Sequence, residues 1–144
     1  MNAAHILKAK GSGVVIVRPE VSLEEAAQIM TKRGIGCVLV AGDDIASAGI
    51  LSERDIVREV ALGGASRLKM PVGEAMTHPI HTCEPRDSVD HLMGVMTARR
   101  FRHVPVVENG EFIGLVSIGD VVKHKIAEAE LETEAMRAYI TSAG

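Results

Sequence analysis

Only three aromatic side chains, Phe101, Phe112 and Tyr139, occur among the 144 residues, and there is no tryptophan. Proteins that grip single-stranded nucleic acid stack exposed bases on aromatic rings, so this chain lacks the means for that task. Its formal net charge of −3 provides no general attraction for phosphate backbones or anionic lipid. Nucleic acid and membrane are therefore not expected partners. No apolar run approaches the roughly 18 residues that span a bilayer. The opening segment, Met1 to Lys8, lacks the apolar centre of a signal peptide. The expected location is cytoplasmic. The two cysteines, Cys37 and Cys83, form no CxxC pair and read as reduced packing thiols. No Ser-His-Asp or paired-carboxylate pattern stands out, so no catalytic residue and no catalytic cofactor are assigned.

What the chain does contain is a repeat of about 66 positions. Pro19 falls on Pro85, Ser22 on Ser88, Met30-Thr31 on Met96-Thr97, Val38 on Val104 and Val40 on Val106. One residue fewer in the second turn then aligns Gly49 with Gly114 and Val57 with Val122. Two copies are too few for a solenoid and suggest a pseudo-symmetric pair. A lone half of about 60 residues is marginal by surface-to-volume scaling, so the halves should fold as one unit.

Each half reads as strand, helix, strand, strand, helix. After a short helix at Ala3 to Ala9, residues Val14 to Val17 form an apolar strand ahead of Pro19. Ser22 and Glu25 make a capping box for a helix that stops at Gly34. Strands follow at Cys37 to Ala41 and Ser47 to Leu51, then a helix from Glu53 to about Leu62. In the second half, Ile80 to Thr82 is an expected strand and Ser88 caps a helix to about Arg100. His103 to Val107 and Glu111 to Val116 flank Asn109-Gly110, a strong hairpin signal. A last helix starts after Ser117 and runs to about Ile140. The expected segments are a lead-in at 1–13, a first domain at 14–63, a linker at 64–78, a second domain at 79–128 and a helical tail at 129–144.

Each half ends in the same polar signature: Gly, two apolar residues, Ser, two variable residues, Asp. The copies are Gly49-Ile50-Leu51-Ser52-Glu53-Arg54-Asp55 and Gly114-Leu115-Val116-Ser117-Ile118-Gly119-Asp120. Ser followed three residues later by an acid is a helix-capping pattern, and Ser22…Glu25 is read as only that. The functional reading rests on the junction. A strand turning tightly into a helix offers backbone N–H groups and the positive helix end to an anion. An Asp one turn in can accept both hydrogen bonds of a ribose diol. Gly119, a poor helix former, suits close approach of a ligand.

Positions 49 to 60, Arg102-His103-Val104-Pro105-Val106-Val107 and Gly114 to Lys123 resemble the cystathionine-β-synthase (CBS) domains, specifically bacterial proteins made of little more than one CBS pair. The resemblance implies an α/β (α+β) fold of two βαββα halves packed as a pseudo-two-fold pair, and a homodimer. It implies an adenosine-containing ligand such as AMP, ADP, ATP, NAD(H) or S-adenosylmethionine, bound between halves by a non-catalytic regulatory module that reorients them. Carried onto this chain, Asp55 and Asp120 hold ribose hydroxyls, and Ser52 and Ser117 hold phosphate or nearby ribose oxygens. Arg54 lies near phosphate in the first site, where Gly119 is its counterpart in the second. Arg102 and His103 stand at phosphate-contacting positions, where the first half has Gly36 and Cys37. The adenine lies near Val15-Ile16 and His81-Thr82 and against Val38 or Val104-Pro105.

Two rival readings are an enzyme that retains NAD, with His103 as the residue to suspect, and a structural dimerisation module with empty, capped helix starts. Weaker signals are Gly34-Ile35-Gly36, which is not a completed GxGxxG, the basic cluster Arg99, Arg100, Arg102 and His103, and the spacing of His78, His81 and Cys83. For the dimer, the apolar faces of Ile56, Val57 and Val60 and of Val121 and Val122 exceed what one pair needs to bury.

Overall fold

The structure is a computed structural model and describes residues 1–11 and 13–143. Ser12 of the expected lead-in and Gly144 of the expected tail lie outside them. The chain divides into two compact units, Val14–His81 and Met1–Gly13 with Thr82–Gly144. The fold is α+β.

The Val14–His81 unit begins with strand β1 (Ile16–Val17), shorter than the apolar run Val14 to Val17. Helix α2 (Leu23–Arg33) starts on Ser22, whose Oγ accepts the Glu25 N–H. It stops at Gly34, in the left-handed region at φ 64°, where a residue without Cβ is strain-free. Strands β2 (Cys37–Val40) and β3 (Gly49–Ser52) follow, then helix α3 (Glu53–Gly63). β1 runs parallel to β2, which pairs antiparallel with β3, giving sheet order β1-β2-β3. The expected strand start at Ser47 is instead a 3₁₀ turn at Ile45–Ser47, because the Asp44 carboxylate accepts the Ala46 N–H and closes it. Val17, Leu23, Ala26, Met30, Val38 and Leu51 form the core between sheet and helices.

The other unit repeats this plan with helix α5 (Val89–Arg99), strands β4 (His103–Glu108) and β5 (Glu111–Ser117), and helix α6 (Ile118–Ala143). Asn109 (φ 54°) and Gly110 (φ 77°) both take positive φ and close the β4–β5 hairpin as their dipeptide predicts. The expected strand Ile80 to Thr82 does not form. Only Cys83 bridges β4, at Val106, and the sheet has two strands. The reason is one residue. In the first repeat, Leu39 N–H donates to Val15 O and Ala41 N–H to Val17 O. The second repeat keeps the latter rung as Val107 N–H to Cys83 O, but Leu39 is replaced by Pro105, which has no N–H to donate.

The expected lead-in and linker are parts of the repeats themselves. Helix α1 (Ala3–Lys10) packs with the second repeat, where Ile6 is fully buried beside Leu92 and Val116. The segment after α3 forms a 3₁₀ turn at Ala65–Lys69 and helix α4 (Val72–Ala75), which packs within the first. The two lead-ins match bond for bond. Ala3 and Ala4 donate to Asp87 O and Pro85 O, as Val72 and Gly73 donate to Val21 O and Pro19 O. Val89 N–H reaches Met1 O, as Leu23 N–H reaches Met70 O. Leu7 then lies against Gly114 as Met76 lies against Gly49, and a Cβ at either glycine would collide with the side chain opposite. The glycine of each signature is thus required by a lead-in helix.

Candidate functional site

The two signatures occupy the same junction in each repeat, where the last strand turns into the last helix. In the first, Ser52 N–H and Oγ–H donate to Asp55 Oδ2 at 2.8 and 3.0 Å, and Asp55 N–H returns to Ser52 Oγ at 3.4 Å. Arg58 Nη2 donates to the other carboxylate oxygen at 2.9 Å. Glu53 N–H is taken by Gly36 O. Asp55 is 4% exposed, the one buried charged residue among those described. Helix geometry explains Arg58, which stands one turn beyond Asp55 on the same face.

In the second, Ser117 N–H donates to Asp120 Oδ2 at 2.9 Å, and Asp120 N–H to Ser117 Oγ at 3.1 Å. Ile118 N–H is taken by Arg102 O. The cation differs. Lys10, from the end of α1, donates to Asp120 Oδ2 at 2.7 Å and to Leu115 O at 3.0 Å. Asp120 Oδ1 has no partner among the described residues. Burial pushes the Asp120 pKa upward, but the Lys10 and Ser117 hydrogen bonds outweigh it and hold the carboxyl below its ordinary value. His103 pairs with Ser117 across the hairpin. Burial lowers its pKa first and the Lys10 charge next, with Asp120 opposing and Arg102 adding. The imidazole lies in a cluster of Lys10, Arg102 and Asp120 whose net effect, with burial, favours its neutral form.

Both signatures are therefore closed capping boxes. The free row of N–H groups expected at each helix start is reduced, because the first and third donors are already paired. Arg54 and Gly119 supply the remaining first-turn N–H, and both residues are exposed, as are Gly36, Arg102, Thr82 and Ile16. Val104 is fully buried in its core, and Cys37 and Pro105 are buried as well. Val121, expected to be spare apolar surface, is buried too, whereas Val57 and Val122 are exposed. The reason is helical phase: Val121 faces β5 and α5, and its neighbour faces away. Burial and nearby Asp87 push the Cys83 thiol up to about 12, so it stays protonated. Among the described residues, no group of three or more His, Cys, Asp or Glu is placed to hold a metal ion. None of their helices is long and apolar enough to cross a membrane.

A family model for the CBS domain matches residues 11–62 and again 72–127, each match ending just beyond one Ser…Asp turn. The chain belongs to the CBS-domain family. Solved relatives share the fold of this CBS pair. The CBS-domain containing protein ATU1752 from Agrobacterium tumefaciens is 44% identical at a TM-score of 0.79, covering 87% of this chain and 99% of that one. The mitochondrial CBS domain-containing protein CBSX3 of Arabidopsis thaliana is 38% identical over 120 residues, 81% of this chain; the match spans 58% of the plant protein's length. The CBS domain pair of protein MJ0100, solved in complex with 5′-methylthioadenosine and S-adenosyl-L-methionine, is 23% identical at a TM-score of 0.76, covering 89% and 98% of the two chains. Tandem CBS domains are regulatory modules, and CBS-domain proteins are generally non-catalytic. Lys10 and Arg58 are the two site residues that sequence reasoning missed. Arg58 was legible as an (i, i+3) partner, whereas Lys10 lies 110 positions from Asp120 with no local signal.

Proposed function

We propose that this CBS pair is a cytoplasmic, non-catalytic sensor of adenine nucleotides, with one ribose-and-phosphate subsite at each Ser…Asp turn. The observation that carries it is the duplication of one polar turn at the same junction, with Ser N–H to Asp Oδ2 distances of 2.8 and 2.9 Å. One such box caps a helix; two in register on both repeats of a CBS pair suit a ligand common to both. The ribose diol goes to Asp55 and Asp120. Phosphate goes to Ser52 with Arg54 in the first subsite, and to Ser117 with Arg102 and His103 in the second. Adenine lies near Ile16, along the backbone of Cys37, in the first subsite, and near Thr82, along the backbone of Val104 and Pro105, in the second. The second subsite fills first, because Asp120 Oδ1 is available to a hydroxyl, whereas both Asp55 oxygens already have donors. AMP, ADP, ATP and NAD(H) share the groups these residues read. The ligand acts by binding one arrangement of the repeats better than another.

The CBS pair works as a homodimer in this reading. Val57 and Leu62 of α3 are exposed. Beside Val57, an apolar groove of about 580 Å³ is lined by Met30, Ile35 and Ile56.

The closed boxes favour a second reading, in which the turns only start helices. Titration calorimetry with AMP, ATP and NAD separates the two. The sensor reading expects micromolar to millimolar affinity, roughly −8 to −4 kcal/mol, with the tighter of the two binding events lost in Asp120→Asn. No heat and no thermal shift with any of them would leave the capping reading standing.

A further inference from the structure

Helix α6 runs 26 residues, and its last 16 lie beyond the second CBS match, which ends at 127. Every described side chain from Ala129 onward is exposed. This segment has an order that solvent does not require. Val122, Ile126, Ala129, Thr133, Met136 and Ile140 recur at alternating spacings of four and three, the a/d seam of a coiled coil. In that frame Ile126, Thr133 and Ile140 are a positions, and Val122, Ala129 and Met136 are d positions. The stripe that packs α6 on its own unit is different, with Val121, His124, Lys125 and Glu128 turned inward. Ile126, Met136 and Ile140 remain 56%, 63% and 67% exposed.

The charges beside the seam identify the occupant. The e positions are Lys123, Glu130 and Arg137, and the g positions are Lys125, Glu132 and Tyr139. A second α6 laid parallel and in register sets each g residue against the e residue five places on. That sets Glu132 against the partner's Arg137 and Lys125 against the partner's Glu130, both of opposite sign. Lys125 is also held by Asp90 at 2.7 Å and Glu128 at 3.1 Å, so the Glu132 pair is the more selective. An antiparallel helix that keeps all six seam residues in layers sets Glu130 on Glu130, Glu132 on Glu132 and Lys123 on Arg137. Every ion pair there is of like sign.

We propose that α6 pairs in parallel with α6 of a second copy of this chain, along Val122 to Ile140. This rests on the homodimer reading above and gives that dimer its orientation, second repeat beside second repeat. About two and a half heptads with Thr and Ala in the seam are weak alone, so the contact needs the high effective concentration of an already associated pair.

The test is disulfide cross-linking of the full chain in Ala129→Cys, at a d position, against Ala138→Cys, at an outward f position. Both native cysteines are buried. Ala129→Cys should form covalent dimer rapidly under mild oxidation, and Ala138→Cys slowly. Adding Glu132→Arg to Ala129→Cys should cut cross-linking by roughly fivefold, from two surface pairs turned repulsive. Adding Arg137→Glu as well should restore it. Equal rates at positions 129 and 138, or no restoration by the double reversal, would overturn the pairing. Sedimentation separates the two readings: a dimer without cross-linking refutes α6 pairing alone, and a monomer refutes the homodimer as well.

Discussion

Replacing the two signature aspartates by alanine should cost the fold unequally. Asp55→Ala strips the acceptor from Ser52 N–H and Oγ–H at a place only 4% exposed. Leaving a buried donor unsatisfied costs about 1–3 kcal/mol, which already includes the lost half of the capping box. The Arg58 pair adds only about 0.3 kcal/mol, because its guanidinium end is half exposed. The sum is about 1.3–3.3 kcal/mol. Asp120→Ala removes the acceptor of Ser117 N–H and the Lys10 pair, but that carboxylate is 22% exposed and Lys10 40%, so water replaces much of what is lost. Its cost is about 1 kcal/mol. At about 3–4 °C per kcal/mol for a chain of this size, circular dichroism should show Tm falling by roughly 4–13 °C in the first variant and about 3–4 °C in the second. Asp55→Asn, which keeps one acceptor oxygen, should recover part of the loss. AMP should raise the Tm of the wild type and of Asp55→Asn, and less that of Asp120→Asn, which keeps only the weaker subsite. Equal destabilisation by the two alanine variants would refute the reasoning from burial.

Arg100 ends α5 in the left-handed region at φ 58°, where the first repeat uses Gly34 at φ 64°; Arg100→Gly should stabilise by about 0.5–1 kcal/mol, read as a rise in urea midpoint, and an unchanged or lower midpoint would count against strain there. His103 has its pKa lowered in the folded state, so below about 6.5 the unfolded chain binds the proton more readily. Its contribution is present above that pH and lost as pH falls through the window, so wild type should lose more stability than His103→Gln between pH 7.5 and 5. Identical pH slopes would show that burial of this imidazole is not what shifts it.

The local chemistry of the chain set the repeat, the helix starts at Ser22, Ser52, Ser88 and Ser117, and the Asn109-Gly110 hairpin. Each depends on residues three or four apart, or on two residues that tolerate positive φ, so the pattern is complete within a short window. The polar turns were legible for the same reason, including their double meaning as caps and as subsites. Tertiary structure decided what depends on distant partners. It assigned α1 to the second repeat and α4 to the first, through backbone bonds such as Ala3 N–H to Asp87 O and Val72 N–H to Val21 O. It turned Pro105 from an apolar strand residue into a missing rung, because the cost of an absent N–H exists only once a neighbouring strand needs it. It brought Lys10 to Asp120 across 110 residues and gave the two matching carboxylates different cations, which no repeat alignment contains. It also buried Val121 and exposed Val122, since the phase of a helix against its neighbours is set by packing and not by the apolarity that both valines share.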